Sequence, residues 1–176
     1  WGITVNNRMV ALQEGVASQW GNVETQYQRR ADLIPNFVNT VKGAAQFEQE
    51  TLTRVIEARA KATQLTLDPA NMTADNMRQF QEVQSEVSSA LSRLMVVVEK
   101  YPELKATQNF RDLQVELEGT ENRISVERRN FNEKAKELNT YIKQFPQSII
   151  AGMRGFVEKP YFESMEGAEV APQVQF

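Results

Sequence analysis

Apolar side chains recur every three or four residues along most of this chain, the spacing of one face of an α-helix rather than the alternation of a strand. The first stripe is Val5, Met9, Leu12, Val16, Trp20, Val23 and Tyr27. The second holds Ile34, Val38, Val41, Ala45, Leu52 and Val55, and the third Met77, Phe80, Val87, Leu91, Leu94 and Val98. The fourth is the most regular: Phe110, Leu117, Ile124, Phe131, Leu138 and Phe145 fall seven residues apart each time. A strict heptad position returns to one face of a slightly supercoiled helix, so these six are expected to line one seam.

Proline divides the stripes. Proline inside a helix costs about 3 kcal/mol, so long helices are expected in the gaps between prolines. Pro35, Pro69, Pro102 and Pro146 leave gaps at residues 1–34, 36–68, 70–101 and 103–145. The linker at 67–73 reads as a loop with Thr73 capping the third helix. Pro102 disfavours helical geometry at Tyr101 and so ends that helix. At residues 29–36 two arrangements are open. Asp32 caps a new helix with Pro35 in its first turn, or one helix runs through with a kink. We expect the break, with Arg30, Asp32, Pro35 and Asn36 shaping it.

Short connections imply antiparallel neighbours, so the expected fold is all-α, an elongated antiparallel up-and-down four-helix bundle. After Pro146 a short helix at 147–153 is expected, then an irregular strap bringing Phe156, Tyr161 and Phe162 back to the bundle. The expected organisation is a bundle with strap at 1–163 and a flexible tail at 164–176.

Composition narrows the chemistry. The 176 residues contain neither cysteine nor histidine. Thiolate nucleophiles, disulfides, cysteine zinc sites and imidazole bases are therefore excluded. Di-iron bundles of the Glu-x-x-His type need a histidine, and no spaced acidic calcium loop is present, so neither a metal nor another cofactor is expected. The net charge is −3 with no long basic run, which gives no footprint for nucleic acid. The longest stretch without a charge, 144–153, is too short to cross a bilayer. The chain opens on Trp1, and a signal peptide or membrane anchor upstream is expected.

The run Arg29-Arg30-Ala31-Asp32-Leu33-Ile34-Pro35-Asn36-Phe37-Val38, continuing through Thr40-Val41-Lys42-Gly43, resembles the signature of the LemA family. Glu48, Thr51-Leu52 and Ala58-Arg59 follow at the offsets of that family. Glu121-Asn122-Arg123-Ile124, Arg129, Phe131-Asn132, Asn139, Ile142, Phe145-Pro146, Gly155-Phe156 and the ending Pro172-x-Val174-x-Phe176 extend the resemblance from about Asn7 to the C-terminus. The chain departs from the family at Ala44, Phe47 and Leu138, where rings of tyrosine or histidine are common. The resemblance implies a helical-bundle domain behind an N-terminal membrane helix, facing outward into the periplasm or at the cell surface. It carries no catalytic residues across. It also implies envelope or membrane proteins as partners.

Several residues stand out against the stripes. Glu48 falls on the apolar face between Ala45 and Leu52, and buried carboxylates are costly unless paired. We expect a structural polar network in which Glu48 meets Arg128 or Arg123, with Glu121 and Asn132 nearby. Val170, Pro172, Val174 and Phe176 alternate at period two, as in a peptide that docks in an extended form. The leading expectation is a non-enzymatic, membrane-tethered interaction or scaffold module. The alternative is a small-molecule or lipid binding module with a site between the helices.

Overall fold

A computed structural model describes residues 1–44 and 47–163. Among them every regular element is helical. The order is α1 (Gly2–Lys42), α2 (Gln49–Gln64), a 3-10 turn (Pro69–Asn71), α3 (Ala74–Val98), α4 (Pro102–Lys105), α5 (Gln108–Lys143) and α6 (Gln147–Arg154). Ala45 of the second stripe and the tail at 164–176 lie outside the described residues.

Residue pairs fix the directions. Gln19 meets Glu127, Gln26 meets Arg123 and Phe37 meets Phe110, so α1 and α5 run antiparallel over most of their lengths. Lys61 faces Glu86 and Lys100 faces Glu48, which sets α2 antiparallel to α3. Thr73 caps α3, its hydroxyl accepting from the Asn76 N–H while the Asn76 side chain accepts from the Thr73 N–H.

The expected break in the first helix is not there. α1 continues unbroken through Pro35 to Lys42, about 62 Å at 1.5 Å per residue. Pro35 has no N–H for the carbonyl four residues back, which belongs to Ala31. Arg59 of α2 supplies the missing donor, its Nε–H reaching the Ala31 oxygen at 2.8 Å. Asp32 caps nothing; it accepts from the Gln28 amide at 2.8 Å on the exposed surface. Asn36 is exposed in the same continuous helix.

Among the described residues the four stripes form the core, with one exception. Phe110, Leu117, Ile124, Phe131 and Leu138 are all buried, but Phe145 is 82% exposed. α5 ends at Lys143, so the heptad phase does not reach the sixth position. The core also divides in two. One cluster gathers Val5 to Tyr27 of α1, Met77 and Phe80 of α3, and Ile124 to Ile142 of α5. The other gathers Leu33 to Val41, Leu52 to Ala62, Val87 to Val98, and Phe110 with Leu117.

Candidate functional site

The boundary between the two clusters is polar. At that level α1 contributes Arg30, α3 contributes Gln84, and α5 contributes Thr120, all buried. Each interrupts an apolar stripe: Arg30 follows Tyr27, and Gln84 lies between Phe80 and Val87. The Arg30 guanidinium is 2% exposed. It donates to the Gln84 carbonyl at 2.9 Å, the Gln84 Oε1 at 2.8 Å, the Ser88 hydroxyl at 2.8 Å and the Glu121 carboxylate at 3.2 Å. It also lies 5.2 Å from the centre of the Tyr27 ring. One side chain on α1 thus ties α3 and α5 together. Burial pushes the Tyr27 phenol above its usual value, against the opposing influence of the Arg128 and Arg30 guanidiniums.

The network expected from the sequence is only partly assembled. Glu121 is in it, through Arg30. Glu48 is not: it stands just before α2, where its carboxylate accepts from Thr51 at 3.1 Å and faces Lys100 at 3.7 Å. Arg123 donates to Gln26 at 3.3 Å on the exposed surface. Asn132 turns to the C-terminal strap instead, while Arg128 reaches both the Tyr27 phenol and, at 3.0 Å, the Glu163 carbonyl of the strap. α1 ends at Lys42 and α2 begins at Gln49, so helical phase does not carry from one to the other and Glu48 is off the apolar face that spacing alone assigns it.

The strap is a second polar assembly. Gly155, at φ 77°, closes α6 in a conformation that favours glycine, and the chain then returns along α5 without helix or strand. Asn139 donates to the Lys159 carbonyl at 2.8 Å and accepts from the Lys159 N–H at 2.8 Å. Asn132 does the same for Phe162, at 3.0 and 2.7 Å. The spacing matches. Seven residues of helix advance about 10.5 Å, and three residues of extended chain advance about 10 Å. Gln81 of α3 holds the Glu163 backbone in the same two-bond manner, both at 3.2 Å.

Strap side chains complete the closure. Phe162 is buried among Trp20, Phe131 and Phe80, with ring centres 5.8, 5.4 and 6.5 Å away, and Arg128 lies 4.7 Å above it. Lys159 is 3% exposed and donates to the Pro69 carbonyl at 2.9 Å. Burial pushes its ammonium below the usual lysine value, while Asp68 pulls the other way.

The depressions between helices differ in size: one of about 980 Å³ runs between α2 and α3, lined by Arg54, Glu57, Lys61, Gln81, Glu86 and Arg93. A cavity of about 80 Å³ is lined by residues of α1, α2 and α3, including Tyr27, Arg30, Arg59 and Gln84. Ligand sites begin at about 300 Å³. Among the described residues no three acidic side chains gather as a metal site would need. None of their helices is long and apolar enough to cross a membrane. Val170, Pro172, Val174 and Phe176 lie outside the described residues.

A family model described as the LemA family matches residues 19–176. The chain is similar to the magnetosome protein MamQ 2 of Paramagnetospirillum magneticum, 22% identical over 188 aligned positions that cover 96% of this chain and 69% of that protein. The magnetosome protein MamQ of Magnetospirillum gryphiswaldense shows the same identity and coverage. Protein LemA of Metamycoplasma hominis is 22% identical over 160 positions, covering 91% of this chain and 69% of that protein.

Proposed function

This chain belongs to the LemA family, and on that premise we propose that it is a non-enzymatic envelope module that binds or positions other proteins. The domain is tethered to a membrane by an N-terminal anchor and stands outside the cytoplasm, as a rod with the architecture of an up-and-down four-helix bundle. The directions of the α1–α5 and α2–α3 pairs support that architecture. Similarity to proteins named for the magnetosome supports a membrane-associated setting.

The observation that carries the reading is where the polar chemistry goes. Arg30, Gln84, Asn132 and Asn139 direct their hydrogen bonds to helices and strap. These are groups that hold a shape. The space beside Arg30, about 80 Å³, is below the size of a ligand site, and the depression of about 980 Å³ between α2 and α3 is lined mainly by charged and polar side chains rather than by the apolar walls a small ligand favours.

Crosslinking of the full-length protein in its own cells, followed by mass spectrometry, tests the proposal. The same envelope or membrane proteins are expected in repeated experiments, through crosslinks to exposed positions of α2, α3 and α5. Repeated recovery of no protein partner would refute it.

A further inference from the structure

One end of the rod carries an apolar surface that the fold does not cover. Trp1 is 66% exposed and Ile3 80%. Phe145, at the junction of α5 and α6, and Met153 on α6 are 82% and 77% exposed. Ile149 and Met153 lie four residues apart on the exposed side of α6, and Phe145 stands exposed two residues before that helix begins. The other side of α6 is inward: Ala151 is buried and Ile150 packs on the core. The first turn of α1 lies against this helix, since a Cβ on Gly2 would stand 3.8 Å from the Ile150 side chain. A depression of about 350 Å³, lined by Gly2, Ile3, Asn6, Ile150, Met153 and Arg154, joins the two segments into one face.

The charge at this end differs from that of the whole chain. Residues 1–10 and 140–158 carry Arg8, Lys143 and Arg154 against one carboxylate, Glu158, which pairs with Lys143 at 2.8 Å. The chain as a whole is −3. A short helix with exposed Ile149 and Met153, rimmed by arginine and accompanied by Phe145 and Trp1, suits the boundary between headgroups and acyl chains. Basic side chains near that boundary are attracted to anionic lipid.

We propose that this end of the rod, formed by Trp1, Ile3, Phe145, Ile149 and Met153, seats on the surface of an anionic lipid bilayer. The contact belongs to the described residues themselves and goes beyond the tether proposed above. Loss of protein partners in a crosslinking experiment would leave it standing.

The 176-residue chain should co-sediment with vesicles of equal parts phosphatidylglycerol and phosphatidylcholine, and much less with phosphatidylcholine alone. Trp20 is fully buried, so Trp1 is the tryptophan that reports. Its emission is expected to shift to the blue on the anionic vesicles and to be quenched by brominated acyl chains. The variant Phe145→Ser/Ile149→Ser/Met153→Ser should lose at least about tenfold in vesicle affinity. Because these side chains are exposed, its helical melting curve should stay close to that of the parent chain. Failure to bind the anionic vesicles, equal binding to both lipids, or full binding by the triple variant would overturn the proposal. Dimerisation without vesicles that the triple variant abolishes would also overturn it, in favour of a contact between copies.

Discussion

Arg59 stands in for the backbone amide that Pro35 lacks. Its Nε–H meets the Ala31 carbonyl at 2.8 Å, and α1 passes through the proline because a side chain from α2 supplies the bond. Arg59→Leu is therefore expected to destabilise the protein by about 1–3 kcal/mol, the range for a carbonyl left without its donor. In a Pro35→Ala background the main-chain N–H returns, and the same substitution should cost measurably less. A double-mutant cycle in urea reads this coupling directly. Equal effects of Arg59→Leu in both backgrounds would refute the arrangement.

The strap offers a local readout. The Lys159 and Phe162 amides donate to Asn139 and Asn132, so both should exchange slowly with solvent deuterium. Asn139→Leu should speed exchange at Lys159 by about tenfold or more, the effect of losing roughly 1.4 kcal/mol of local stability. Asn139→Asp keeps the acceptor for the Lys159 N–H and loses the donor to its carbonyl, so it should fall between. An unprotected Lys159 amide in the parent chain would rule out the clamp.

Lys159 also makes stability depend on pH at the alkaline end. Its folded-state value lies below the ordinary 10.5. Between that lowered value and 10.5 the unfolded chain holds more of the proton, so this group makes stability rise with pH. Tyr27 acts oppositely, because its raised value means that the unfolded chain loses its proton first. Denaturation midpoints measured across this range should show Lys159→Met removing the rising contribution and Tyr27→Phe removing the falling one. A pH profile unaltered by Lys159→Met would show that the ammonium is not buried as described.

The apolar stripes were readable because burial imposes helical spacing wherever a helix persists. Val5 to Tyr27 and Met77 to Val98 needed nothing from the rest of the fold. Spacing loses its meaning where one helix ends or where another segment intervenes. Phe145 kept the heptad count but lies beyond Lys143, the last residue of α5. Glu48 kept the phase of a helix that had stopped at Lys42. The passage through Pro35 was invisible locally, since its compensation comes from Arg59 on a different helix. Arg30 left a clear signal, a permanent charge in phase with Val23 and Tyr27. Its partners Gln84 and Ser88 come from α3, and local spacing does not identify them. Asn132 and Asn139 are likewise seven residues apart on α5, but their partners are backbone groups of a strap with no periodicity of its own.

An interior polar layer centred on Arg30 holds α1, α3 and α5 together. Urea denaturation of Arg30→Met measures it most directly. The substitution leaves the Gln84 side-chain oxygen without its donor, and the Gln84 carbonyl with only its helical N–H, while keeping an apolar stem of similar length. A loss of about 1–3 kcal/mol is predicted, the range for a buried acceptor left without its donor, because the Glu121 carboxylate is 38% exposed and stays hydrated. A change below about 0.5 kcal/mol, the size of an ordinary surface substitution, would contradict the claim.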